Sequence, residues 1–503
     1  MASFFNPKHR SIVPRWRLYN RTAALKELRA GTRRKAQDEV RTPADQLRDW
    51  NSHKTIWHAA DLLGAAVVSN QPEVAREAAE FLIAQGSGVT AAALSLARRV
   101  TDPRGTLAHR PTFGGDWRGV IQSVRAYGVC NARSAVRWAD FGLAHTVLGN
   151  AEHAIRALTV AVALAPDNRF VLRSAARCFL HWGEADRAHD ILRRSPATSE
   201  DPWLLAAEIG IASARRRTSG LIAVGRQMVK EGSFSSAAIS ELACGIGTVE
   251  FEAGSLRHAR PMLGRSLEAP TENVVAQVEW MLNKKNQAMP RGALYLSEVP
   301  LLFEAKATEH YNNGEWEASM SSALGWLADQ PFSSRPADLA SYVASLLGRF
   351  EDAVRILEGA RYSNPEDQIL LNNLAYFSAM AGDLPSAVRW MRMVKWDKLD
   401  QEDRAVLTAT AGLLKFRAGE PDVGRRLYQH TVQEGIRMRD PRLQCIALLN
   451  LAREELIAGD ADLAVEHFRE SQSLAKRVHG EDITTMLSAL ESRLERRAAP
   501  ARC

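Results

Sequence analysis

Cysteine is scarce in this chain, with five residues in 503 (Cys130, Cys178, Cys244, Cys445 and Cys503), odd in number and widely separated. None forms a C-x-x-C pair, so neither a zinc knuckle nor a redox couple is offered, and the disulfide framework of a small secreted domain is excluded. A reducing, cytoplasmic setting is the expectation. No uncharged apolar run approaches the roughly 18 residues that a membrane span needs, and Met1 to Arg10 hold no apolar core of signal-peptide length. The first 26 residues contain no Asp or Glu, as a transit peptide would, but Pro7 and Pro14 would interrupt the amphipathic helix such a peptide forms. No membrane attachment is expected. Catalytic signatures are missing too. Without a Gly-Lys dipeptide there is no Walker-type phosphate loop, and H-E-x-x-H and G-x-S-x-G do not occur. Nothing implies a cofactor or a metal, and the chain is not expected to be an enzyme.

One weak pattern is an Arg followed five residues later by His, as in some helical ribonucleases, at Arg48/His53, Arg104/His109 and Arg425/His430. The chain has 53 Arg and 13 His, so one or two such pairs arise by chance. A helical nuclease remains only a second alternative, one that would lose cleavage on His109→Ala.

Apolar residues make up 46% and charged residues 24%, the balance of a folded protein. The formal charge of +7 is unevenly placed. Residues 1–41 carry eleven Lys or Arg against Glu27, Asp38 and Glu39, a local net of +8, and the remainder sums to −1. A uniformly basic surface is ruled out; the positive field sits at one end. Abundant Arg and Ala with only 12 Lys fit a GC-rich bacterial genome.

A chain this long is either several domains or a repeat array, and spacing decides for the array. From Ala135, the residues Trp138, Phe141, Gly142, Gly149, Ala154, Leu158, Ala161 and Pro166 occupy positions 4, 7, 8, 15, 20, 24, 27 and 32 of a 34-residue unit. Large apolar residues at 4, 7 and 24 fill the space between two antiparallel helices, and small ones at 8, 20 and 27 let the axes approach. Gly149 ends the first helix and Pro166 the second. The frame continues from Arg169 (Gly183, Ala188, Leu192) and recurs from Pro300 (Gly314), Ser334 (Gly348) and Gln368 (Gly382). Weaker copies begin near Ser240 (Gly254), Ala405 (Gly419) and Cys445 (Gly459).

Segments such as LNNLAYFSAMAGDLPSAVRW resemble the tetratricopeptide repeat family, over roughly 135–478. The resemblance implies an all-α fold, a right-handed superhelical solenoid of antiparallel helix pairs that usually binds peptides or proteins. The expected organisation is a basic N-terminal arm (1–41), degenerate helical capping repeats (42–134) with a long loop at 101–118, repeats over 135–299 that are irregular at 203–239, further repeats over 300–494, and a frayed tail (495–503). Thr42 and Pro43 would open a helix running to about Val68, and Pro72 with Glu73 the next. Where the turn glycine should stand, the irregular stretch has RRRTSG.

Family resemblance also implies that ligands meet positions 2, 5, 9, 12 and 13 of each first helix. On that reading Arg173, Arg177 and His181 form one cationic stripe, able to hold a carboxylate or phosphate or else only a solvated helix face. Further along lie Asn372, Asn373, Tyr376 and Met380, then Asn450 and Arg453. In the arm, Trp16 and Tyr19 stand among Arg15, Arg17 and Arg21, with Arg33, Arg34 and Lys35 beyond. Such a set can stack on bases and contact phosphates, or clamp the arm onto a protein surface, its own or a partner's; the protein surface is favoured. The loop adds Arg104, His109, Arg110 and Trp117, a contact surface or a tolerated insertion. The expected function is a non-catalytic scaffold or adaptor that binds a protein or peptide in the concave groove, within a multi-subunit complex or alone. The alternative is a nucleic-acid-associated subunit acting through the arm.

Overall fold

The computed structural model describes residues 10–16, 43–68, 71–85, 89, 91–101, 121, 134–285, 299, 302–478 and 480–498. Among the described residues the helices are α, with short 3-10 turns, and there is no β-strand. None is long and apolar enough to cross a membrane. The chain forms two compact units, Gly31–Gly115 and, together, Met1–Ala30 with Asp116–Cys503.

In the smaller unit lie α1 (Pro43–Ser52), α2 (Ile56–Val68), α3 (Pro72–Gln85) and α4 (Ala91–Thr101). Its core gathers Trp50, Leu62, Leu63 and Leu82, with Trp50 edge-on to Phe81 at 4.8 Å. The single helix expected up to Val68 is two. Thr55 Oγ1 accepts from the His58 amide (3.2 Å) and caps α2, which stops α1 at Ser52. Pro72 and Glu73 open α3 as the sequence indicates.

The larger unit stacks helix pairs: α5 (Ala135–Val147) with α6 (Ala151–Leu164), α7 (Arg169–His181) with α8 (Ala185–Arg194), then α9 (Pro202–Ala214), α10 (Ile222–Glu231), α11 (Ser236–Glu252), α12 (Leu256–Ser266) and α13 (Glu272–Lys285). It continues through α14 (Phe303–Asn312), α15 (Trp316–Asp329), α16 (Ser334–Leu346), α17 (Phe350–Arg361), α18 (Gln368–Met380) and α19 (Leu384–Arg392). The last elements are α20 (Gln401–Arg417), α21 (Pro421–Arg437), α22 (Pro441–Ala458), α23 (Ala461–Ala475) and α24 (Glu481–Ala498). The turn glycines chosen by the repeat spacing, from Gly149 to Gly459, have φ between +74° and +106°, a left-handed conformation that costs glycine no steric strain. The small residue at position 8 is equally necessary: a Cβ on Gly142 would stand 2.7 Å from Leu158 Cγ.

In the irregular stretch Arg216 takes the left-handed position itself, at φ +54°. The following helix α10 is short, and α9 packs directly on α11 through Leu205, Ile209, Leu242 and Ile246. At the other end α24 runs to Ala498, so Glu495 to Ala498 are helical where fraying was expected.

The larger unit closes on itself. His181 Nε2 donates to the Ser363 carbonyl (2.8 Å), Arg177 lies 4.8 Å over the Phe332 ring, and a Cβ on Gly149 would overlap the Tyr362 carbonyl. These contacts join α5 and α7 to the segments flanking α16 and α17, and leave an enclosed inner channel.

Candidate functional site

The channel holds residues 10–16 of the same chain as an extended segment. Arg10 pairs with Glu304 through Nε (3.2 Å) and Nη2 (3.1 Å), and also donates to Gln277. Arg15 pairs with both Glu272 and Glu304. Two side-chain amides meet main-chain carbonyls of the segment: Gln277 Nε2 donates to Arg10 O (2.7 Å) and Asn273 Nδ2 to Val13 O (2.9 Å). An extended chain leaves its carbonyls unsatisfied, and these amides supply the donors. Ile12 is 1% exposed and passes so close to α9 and α11 that a Cβ on Gly210 would stand 2.5 Å from the Ile12 carbonyl oxygen and one on Gly245 would stand 3.1 Å from Ile12 Cγ2. Trp16 is 2% exposed and meets Phe332 edge-on at 6.2 Å.

Charge balance in the channel turns on Glu304, which also accepts from Arg335 (2.7 Å). Burial opposes ionisation of Glu304, but Arg10, Arg335 and Arg15 outweigh it and hold its carboxyl well below the usual range. Among the described residues no acid lies within ion-pair distance of Arg177; burial, and then the neighbouring Arg15 and Arg335, lower its pKa to about 10. His181 is pushed down to about 4 by burial and by Arg177, so it is neutral.

A second inner surface is formed by α14, α16, α18 and α22, and α24 lies across it. The Asp482 carboxylate of α24 accepts from Tyr311 (2.9 Å) and Tyr342 (2.8 Å) and pairs with Arg442. Beside α24 a cavity of about 180 Å³ stays open, lined by Tyr342, Leu346, Tyr376, Met380, Leu449, Asn450, Arg453 and Met486 among others. Tyr376 donates to Asn450 Oδ1 (2.7 Å) and accepts from Arg453 (2.9 Å). Burial works against the Arg453 cation, but Tyr376, Glu454 and Tyr428 raise its pKa above the ordinary value.

A sequence model of the tetratricopeptide repeat matches residues 344–402, which contain α17, α18 and α19 and the turn glycines Gly348 and Gly382. Residues 344–402 are tetratricopeptide repeats. No curated protein matches it. Solved structures similar to it include yeast Tom70 (14% identity, 79% of this chain and 98% of that chain, TM-score 0.30) and the Cut9–Hcn1 hetero-tetramer of APC/C (14%, 90% and 92%, 0.40). The human IFIT1 dimer with PPP-AAAA is another (14%, 72% and 95%, 0.36). The same repeat register, marked by the turn glycines, extends on both sides of the matched segment.

Within this tetratricopeptide-repeat framework the residues singled out from sequence separate into three groups. Tyr376, Met380, Asn450 and Arg453 come together at the open cavity. Asn372 and Asn373 share their helix but are fully buried and bonded to each other (3.1 Å). The stripe of Arg173, Arg177 and His181 does not act as one cationic unit: Arg173 is buried against Glu241 (2.8 Å) and the Trp203 carbonyl (2.7 Å), and His181 is neutral. Arg15 and Trp16 are enclosed in the channel. Arg17, Tyr19, Arg21, Arg33, Arg34, Lys35, Arg104, His109, Arg110 and Trp117, with the rest of the arm and the loop, lie outside the described residues. Arg425, from the weak Arg/His pattern, is held by both oxygens of Glu455 (2.5 and 2.8 Å).

Glu272, Asn273, Gln277, Glu304 and Phe332 were not anticipated as site residues. Glu304 could have been, because it falls at position 5 of the repeat from Pro300. Asn273 and Gln277 sit four apart on one face of α13, a helix with no assigned register.

Proposed function

We propose that this chain is a non-catalytic interaction scaffold that holds an extended polypeptide segment of a partner on its inner surface. One observation carries the reading: the inner channel already binds such a segment, residues 10–16, through its main-chain carbonyls, its two arginines and its apolar side chains. Side-chain amides that meet a peptide backbone give affinity independent of sequence, and acid pairs and apolar recesses add selectivity. The open cavity beside α24 offers a further recess for an apolar side chain. Placement in the cytoplasm fits Cys178, Cys244 and Cys445, which are free and buried.

The test is a photo-cross-linking side chain placed in turn at Met380 on the inner surface and at Val160, exposed on α6. In the native cell the same polypeptide should be captured from Met380 and not from Val160. Equal capture from both positions, or none from Met380, would reject the proposal.

A further inference from the structure

Residues 10–16 read Arg-Ser-Ile-Val-Pro-Arg-Trp, and they are bound as a separate peptide would be. Apart from one short-range bond (Val13 N to Ser11 O, 2.8 Å), the hydrogen bonds described above go to residues more than 200 positions away. No helix or sheet ladder holds the segment. Two of its carbonyls, those of Arg10 and Val13, are met by side chains of α13, its cations by carboxylates of α13 and α14, and its two large apolar side chains by separate recesses. Ile12 joins the cluster of Cys244, Leu263 and Val274, and Trp16 the cluster around Leu172 and Phe332. Pro14 brings no N–H that would need a partner in this buried place, and it favours the extended conformation of the residue before it.

The binding surface has a charge preference. With the segment withdrawn, Glu272 would lose Arg15, and Glu304 would lose two of its three arginines, keeping Arg335. Removing cations from two buried carboxylates is unfavourable, so another cation in the same place is favoured. An acidic or neutral segment would not supply it. Gly210 and Gly245 keep room for a backbone along this path, room that any replacement chain could use.

We propose that residues 10–16 are an internal ligand of the channel, exchanged for an extended basic segment of a partner. That segment carries two arginines five positions apart, with an apolar residue between them and an aromatic residue after the second. The proposal rests on the reading of the inner surface as polypeptide-binding and adds the partner's chemistry and its control. Occupation by the chain's own segment lowers the apparent affinity for the partner by the fraction of molecules in which the channel is free.

The experiment uses a fluorescent synthetic peptide with the sequence of residues 8–18 and the full chain, read by anisotropy. The variant with Arg10→Ala, Arg15→Ala and Trp16→Ala should bind the peptide at least about tenfold more tightly than the unaltered chain. Adding Glu304→Gln to that variant should weaken binding by about tenfold or more, and a peptide with both arginines replaced by glutamate should not bind. Equal affinity of the variant and the unaltered chain, or indifference to Glu304→Gln, would overturn the proposal. Should the triple variant fail to fold by circular dichroism, amide exchange on the unaltered chain decides. Millimolar peptide should speed exchange at Ser11, Ile12 and Val13, and unchanged rates would overturn the proposal. Capture from Met380 with no peptide exchange would leave the scaffold reading standing and remove the internal ligand.

Discussion

Two inner surfaces of the larger unit are each covered by one end of the same chain, and they are covered differently. The channel receives an extended segment, and the surface formed by α14, α16, α18 and α22 receives the helix α24. A helix satisfies its own backbone. At that surface the donors Tyr311, Tyr342 and Arg442 all converge on one side chain, Asp482, and a cavity remains beside the helix. An extended chain brings bare carbonyls, so the channel supplies amides from Asn273 and Gln277 and removes side chains at Gly210 and Gly245. The channel therefore meets backbone as well as side chains of residues 10–16, and the second surface meets a side chain of α24.

The comparison can be broken at its charged centres. Glu304→Ala removes the carboxylate shared by Arg10, Arg15 and Arg335 and should cost about 3–5 kcal/mol, measured by urea denaturation. A loss under about 1 kcal/mol would mean that the segment is not seated. Asp482→Ala removes the acceptor shared by buried Tyr342 and half-buried Tyr311 and Arg442 and should cost about 2–3 kcal/mol. Hydrogen exchange should rise along α24 and stay unchanged at residues 11–13; a rise at both places would show that the two surfaces are one cooperative unit.

Closure of the channel should depend on pH through His181. Its folded pKa of about 4 lies below the unfolded value of 6.5, so the unfolded chain takes up the proton first as pH falls. The stability that neutral His181 contributes is complete above about pH 6.5 and is lost towards pH 4, by up to about 3 kcal/mol. Glu304 stays ionised through this window, so the channel pairs persist. Thermal melts from pH 7 to 4.5 should show a flatter profile for His181→Gln than for the unaltered chain; parallel profiles would contradict the assignment. The smallest effect belongs to the irregular stretch. Arg216→Gly relieves a left-handed arginine and should stabilise by about 0.5–1 kcal/mol; destabilisation would show that the Arg216 side chain has a role of its own.

Much of the fold was legible because its signals are local. A turn that needs positive φ selects glycine, and two helix axes that approach closely select small residues, so Gly149, Gly142 and their equivalents marked the repeat. The break between α1 and α2 was missed because it depends on Thr55 competing as a cap within a stretch that also reads as continuous helix. For the site, register alone put Tyr376, Asn450 and Arg453 on one face, and they do converge. Register could not say that Arg173 finds Glu241, 68 residues away, since that depends on how the superhelix curves. The arm was legible as cationic and aromatic, and docking on a protein surface was the favoured reading; of the residues that meet its segment 10–16, Glu304 falls in the repeat register, whereas Glu272, Asn273 and Gln277 lie in α13, where the 34-residue frame had no register.

A double-mutant cycle between Arg10 and Glu304 tests the central claim most directly. Arg10→Ala, Glu304→Ala and the double variant would be compared by urea denaturation of the full chain. If the segment occupies the channel, the two substitutions should be coupled by about 1.5–3 kcal/mol despite their separation in sequence. Additive losses, with a coupling below about 0.5 kcal/mol, would contradict it.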